Sequence, residues 1–146
     1  MQNPIETLEQ EHEDIERELI ELEEIMQSEE VNYPNLIHVF NGLCKIWDEH
    51  EKKEEKIFPV LKKEKIKMPV YTMMCEHKDL RGHRKAILES MNSGSEIKIK
   101  KALEEHGKIM ITKLRKHIND EDEVLYRIVL DEFTPEELKQ IWDSVK

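Results

Sequence analysis

The chain has 146 residues, enough to bury a core without disulfides or structural metals, so a bound metal would serve function before stability. Charged residues make up 38% and glycines number four, while Val, Ile, Leu and Met recur at helical intervals; this predicts an all-α protein and leaves no convincing strand alternation. A formal charge of −10 argues against nucleic acid or an anionic membrane as partner, because phosphate recognition needs a basic patch.

Asn3-Pro4 reads as a cap with proline at the first helical position. The stripe Ile5, Leu8, His12, Ile15, Leu19, Leu22, Met26 then predicts a helix over about 4–28. Pro34 opens a second helix, to about 64, on Leu36, Phe40, Leu43, Trp47, His50, Glu54, Ile57 and Leu61, with Pro59 expected to bend or break it near its end. The lysine run at 62–67, interrupted by Glu64, reads as a solvated helix end. After Met68-Pro69 a third helix, about 70–91, carries Val70, Met73, His77, Leu80, Ile87 and Met91, and Asn92-Ser93-Gly94-Ser95 closes it. The fourth, about 96–130, carries Ile99, Leu103, His106, Met110, Leu114, His117, Glu121, Val124 and Ile128. Thr134-Pro-Glu-Glu is a capping box for a short helix over about 135–144, through Ile141 and Trp142.

Long helices with short connections favour an antiparallel up-down-up-down four-helix bundle with a short C-terminal helix, and residues 1–146 are expected to form a single domain. No stretch approaches the ~20 apolar residues of a membrane span, and the N-terminus lacks a basic, apolar signal, so a soluble, cytoplasmic protein is expected. Cys44 and Cys75 fall on separate helices outside any CxxC pair and are expected to be free, inert thiols.

Chemistry concentrates in the histidines. His12, His50, His77 and His117 occupy one apolar stripe each, and Glu54 and Glu121 follow two of them by four residues, about one helical turn. His12 and His77 lie near helix starts and His50 and His117 near helix ends, so alternating direction brings all four to the same end of a bundle. A lone histidine on an apolar stripe is commonly a hydrogen-bonded core residue. Four at one level with two carboxylates are different, because their desolvation costs several kcal/mol per charge unless pairing or a cation compensates.

At these residues the chain resembles the hemerythrin-like, or HHE cation-binding, family of four-helix-bundle non-haem iron proteins. The segments that carry the resemblance are LEQEHEDI (8–15), WDEHEKKEEKIFPVL (47–61), CEHKDLR (75–81) and LRKHINDEDEVLY (114–126), and it extends to about residue 130. The resemblance implies a carboxylate-bridged pair of iron ions (Fe2+/Fe3+), oxo- or hydroxo-bridged. His12, His50, His77 and His117 would divide two and two between the irons, with Glu54 and Glu121 bridging. Zinc or manganese suits the same donors; iron follows from the resemblance. Oxygen-carrying members have a further histidine where this chain has Arg81, so counting leaves each iron five ligands and one open position. That favours reaction with O2, NO or peroxide, or exchange of iron, over reversible oxygen carriage.

Other assignments stay open. Asp122 competes with Glu121 for a bridging role. Arg81 is expected to pair with a carboxylate such as Glu16 or Glu76, and Glu16 is otherwise solvated. Glu11, Glu13 and Glu18 read as an ordinary acidic face. His106 is expected in another core layer, as packing or a gate; His38 and His83 on the surface; Trp47 and Phe40 in the core. Two functions remain: a di-iron protein that binds or senses O2 or NO or handles iron, including delivery to an iron-accepting protein for iron–sulfur repair as in some relatives, and an enzyme reducing O2, peroxide or NO. A helical scaffold with adventitious metal affinity is the simplest competitor.

Overall fold

The computed structural model describes residues 3–64 and 66–145, with the side chains of residues 62–64, 67 and 68 outside the description. The lysine run at 62–67 therefore lies outside the described side chains.

Helix α1 (Pro4–Gln27) begins at Asn3, whose side-chain oxygen accepts the Glu6 amide at 3.0 Å and satisfies an orphan donor of the first turn. α2 (Tyr33–Glu64) follows Asn32, which accepts the Asn35 amide at 3.1 Å. Pro59 lies inside α2, and no break occurs there. The missing amide costs one ladder bond, but Ile57, Phe58 and Leu61 around it are all buried, and that packing offsets the loss. α3 (Lys67–Asn92) starts earlier than the sequence suggests, so Pro69 occupies its first turn, where no intrahelical donor is lost.

The fourth helix, α4 (96–132), is not a uniform α-helix. Segments Glu96–Ala102, Lys108–Asp120 and Tyr126–Glu132 are joined by π turns at Leu103–Gly107 and Glu121–Leu125. Each π turn accommodates an extra residue and rotates the downstream side chains about the helix axis. The inward stripe consequently passes through Gly107, Met110, Leu114, His117, Glu121, Leu125, Tyr126 and Val129. Val124, expected inside, is 48% exposed, and Ile128 is half-buried. α5 (Pro135–Val145) is capped as the sequence predicts: Glu137 donates its amide to Thr134 Oγ1 at 3.1 Å, and the Glu137 carboxylate accepts the Thr134 amide at 3.0 Å.

The chain is all-α among the described residues, and α1–α4 form the antiparallel bundle, α1 packing on α2, α2 on α3, α3 on α4 and α4 on α1. The apolar interior is divided. One cluster runs through Ile15, Leu19, Phe40, Trp47, Ile87 and Met110, and the other through Ile5, Leu8, Phe58, Val70, Leu125 and Val129. Leu138 of α5 belongs to the second and closes that end. Between the clusters lies a polar layer.

Candidate metal centre

That layer contains His12, His50, Glu54, His77, His117 and Glu121, none more than 4% exposed. Each bundle helix supplies one histidine, and α2 and α4 each add the glutamate one turn later. The sequence placed the six at one end of the bundle; the structure sets them at one level, with an apolar cluster on either side. His12 and His50 rings lie 4.6 Å apart and His77 and His117 rings 4.8 Å apart, which sorts the imidazoles into two pairs.

Both glutamates lie between the pairs. Glu54 Oε1 is 3.1 Å from His50 Nε2 and 3.3 Å from His77 Nε2. Glu121 Oε1 is 3.0 Å from His12 Nε2 and 3.3 Å from His117 Nε2. Two groups of converging donor atoms result, His12/His50/Glu54/Glu121 and His77/His117/Glu54/Glu121, with atoms in each within 4.8 Å of one another. Yet His50 Nε2, His77 Nε2, Glu54 Oε1 and Glu121 Oε2 are buried, and close as they stand, none of their contacts has hydrogen-bond geometry. Orphaned polar atoms at zero exposure are costly, and a cation among them would satisfy them together. Imidazole nitrogen and carboxylate oxygen in this ratio fit iron, zinc or manganese.

Electrostatics around the layer run against burial. Desolvation alone would lower the imidazole pKa values, but hydrogen bonds and charge from the facing carboxylates overcome it. His12 and His117 are raised to about 9 and His50 and His77 to about 10. Glu121 moves the other way: burial opposes its charge, but Glu54, His117 and His12 hold its carboxyl well below the usual range. Burial, then the charges of Glu121 and Glu54, keep the Tyr126 phenol protonated, and it donates to Glu54 Oε2 at 2.7 Å.

Outside the imidazoles stands a second set of acids, in a role that the sequence pattern gave to none of them. Glu11 Oε1 lies 3.0 Å from His50 Nδ1, Asp122 Oδ1 2.8 Å from His12 Nδ1, Glu76 Oε1 2.9 Å from His117 Nδ1, and Glu55 Oε1 3.7 Å from His77 Nδ1. Every acid serves the histidine of the neighbouring helix, so α1 braces α2, α2 faces α3, α3 braces α4 and α4 braces α1. Their spacing is visible in the chain: Glu-His at 11–12 and 76–77, and His-x3-Glu followed by an acid at 50–55 and 117–122. Glu11 is thus no ordinary face residue, and Asp122 meets the outer nitrogen of His12 while Glu121 meets the inner one. Acids that accept the outer N–H fix ring orientation and leave Nε2 as the inward donor.

Several expectations need correction. Arg81 pairs with Glu51, at 3.0 Å, and with Glu55, not with Glu16 or Glu76. Glu16 is held by Arg115 at 2.9 Å. The π turn at Leu103–Gly107 carries His106 off the inward stripe; it is half-buried, not in a core layer, and its Nδ1 lies 3.0 Å from that of His83. His83 is accordingly more enclosed than a surface residue, at 17% exposure. His38 is exposed, and Trp47 and Phe40 are core residues, Trp47 lying beneath the Arg84 guanidinium. Both cysteines are free; burial pushes the Cys44 thiol up to about 12, whereas Cys75 is exposed. No helix among the described residues is long and apolar enough to cross a membrane.

One surface cleft, of about 240 Å3, reaches the layer between α1 and α4, lined by Glu9, His12, Glu13, Glu16, Ile118 and Asp122. Compared with known protein families, residues 3–129 match the model of the hemerythrin HHE cation-binding domain. No curated protein and no solved structure matches the chain.

Proposed function

The chain belongs to the hemerythrin HHE cation-binding domain family, and from that premise we propose that it is a non-haem di-iron protein that binds or senses O2 or NO, or takes up and hands on iron. The observation that carries the reading is the pair of four-residue donor groups sharing Glu54 and Glu121. One ion would take His12 and His50, the other His77 and His117, with the two glutamates common to both. Bound iron would supply the redox reactivity toward O2, NO or peroxide.

The protein's own contribution is orientation and exclusion of water. The outer acids aim Nε2 inward, and the Tyr126 hydroxyl fixes Glu54. Phe58, Leu125 and Tyr126, none above 0% exposure, keep bulk water from one side of the layer. Because position 81 is an arginine, turned to Glu51 and Glu55, α3 offers the layer the His77 imidazole alone, which supports an open, reactive or exchanging centre over reversible oxygen carriage. The acidic cleft beside His12 favours cation entry and so supports iron handling, with an iron-accepting protein as the recipient.

Metal analysis of protein purified without a metal-affinity tag, with optical spectra before and after O2, tests the reading. About two irons per chain, one for each donor group, are expected. Stoichiometric zinc, or no metal, would overturn it. Turnover of peroxide or NO by the iron-loaded protein would replace the binding function with the alternative, a reductase.

A further inference from the structure

Three of the four imidazoles are hydrogen-bonded on the outer nitrogen, His12 at 2.8 Å, His117 at 2.9 Å and His50 at 3.0 Å. His77 is the exception. Its Nδ1 is buried with no hydrogen-bond partner, although Glu55 Oε1 stands only 3.7 Å away. The same oxygen is engaged by Arg81, whose Nε also binds Glu51 Oε2 at 3.0 Å. Arg81 and His77 therefore compete for Glu55.

We propose that the two ion positions are unequal, and that Arg81 makes the His77/His117 position the exchangeable one by holding Glu55 away from the His77 ring. The inference rests on the two-ion reading above and deepens it. An outer carboxylate raises the basicity of a ligating imidazole and fixes its rotation; its loss typically weakens metal retention by about 10–100-fold. The His12/His50 position keeps both outer bonds, whereas His77/His117 keeps one. A centre built this way gives up one ion and retains the other, which suits single-ion delivery without loss of the bundle. Arg81 is a positioning residue here. It is 42% exposed, and Glu51 retains Arg84 at 3.7 Å when Arg81 is replaced.

The test is release of Co2+ from fully loaded protein into excess chelator, followed by the cobalt absorption. Wild type is expected to lose its two ions in two phases of equal amplitude. Arg81→Leu frees Glu55 for His77 and slows the fast phase about 10-fold or more, leaving the slow phase unchanged. The double variant Arg81→Leu/Glu55→Ala removes the acceptor altogether and returns the fast phase to its wild-type rate. Arg81→Gln serves in the same way should the leucine variant not fold. As a spectroscopic check, the His77 Nδ1 proton in the cobalt protein exchanges faster with water in wild type than in the single variant, where Glu55 accepts it. Release of both ions in one phase, an unchanged fast phase in the Arg81 variant, a slow double variant, or a His77 proton equally protected in both proteins overturns the inference while the two-ion reading stands. Fewer than two Co2+ bound per chain overturns both.

Discussion

Glu54 shows how much one side chain carries. It is fully buried, accepts from Tyr126, and faces one histidine of each pair. Replacing His50 or Glu54 by alanine should lower iron content well below two per chain, whereas His38→Ala, at an exposed position, should leave it unchanged; metal analysis of the three variants decides, and equal content in all would refute the ligand set. Tyr126→Phe leaves a buried carboxylate oxygen without its donor. Denaturant unfolding of the metal-depleted variant should show a loss of about 1–3 kcal/mol. The inner six residues were legible because each occupies a core slot in an apolar stripe, where a polar residue stands out. Glu11, Glu55 and Glu76 were not, since an acid beside the stripe looks like any solvated acid until the neighbouring helix is in place.

Among the helices, α4 departs furthest from its sequence pattern. An ideal helix would carry the stripe from Glu121 to Val124 and Ile128; the π turn delivers Leu125, Tyr126 and Val129 instead. The Tyr126 amide bonds back to the Glu121 carbonyl, the five-residue step that defines the turn. Without it the Tyr126 phenol would not be placed beside Glu54. Leu125→Ala should therefore cost about 2–5 kcal/mol, as for a fully buried leucine, and Val124→Ala no more than about 0.5 kcal/mol, measured by chemical unfolding. The reverse ranking would mean that α4 is regular. The caps at Asn3 and Thr134 were legible because they act through local bonds, whereas Pro34 and Pro69 put the starts of α2 and α3 one and three residues late. Pro59 does not end α2 because its penalty is local, whereas the packing of Ile57, Phe58 and Leu61 that offsets it is not.

At the scale of the whole molecule, the polar layer splits the core and makes stability depend on what fills it. In metal-depleted protein the four histidines are raised above their ordinary 6.5, to about 9 or 10, by carboxylates that outweigh burial. Their pairing stabilises the fold fully below pH 6.5 and is lost as pH rises through 9–10. Glu121, held low, contributes above 4.5 and is lost in acid. Thermal melting of the chelator-treated protein should thus give its highest midpoint between roughly pH 5 and 6.5 and a decline through about 9–10. Metal uptake at neutral pH should release protons, because an imidazole must lose its inner proton to bind an ion. A midpoint flat from about pH 6 to 10 would contradict the charged layer.

The sequence by itself determined the all-α bundle, the caps at Asn3 and Thr134 and the polar residues on the inward stripes, with Asp122 left open beside Glu121, because periodicity, capping and burial of a polar residue in an apolar stripe are set within one helix. Tertiary structure decided which histidines pair, which acid meets the inner and which the outer nitrogen of each ring, and that Arg81 goes to Glu51 and Glu55. Those are relations between helices, fixed by rotations of individual helices such as the π turns of α4, and no spacing along one helix encodes the angle at which its neighbour presents a side chain.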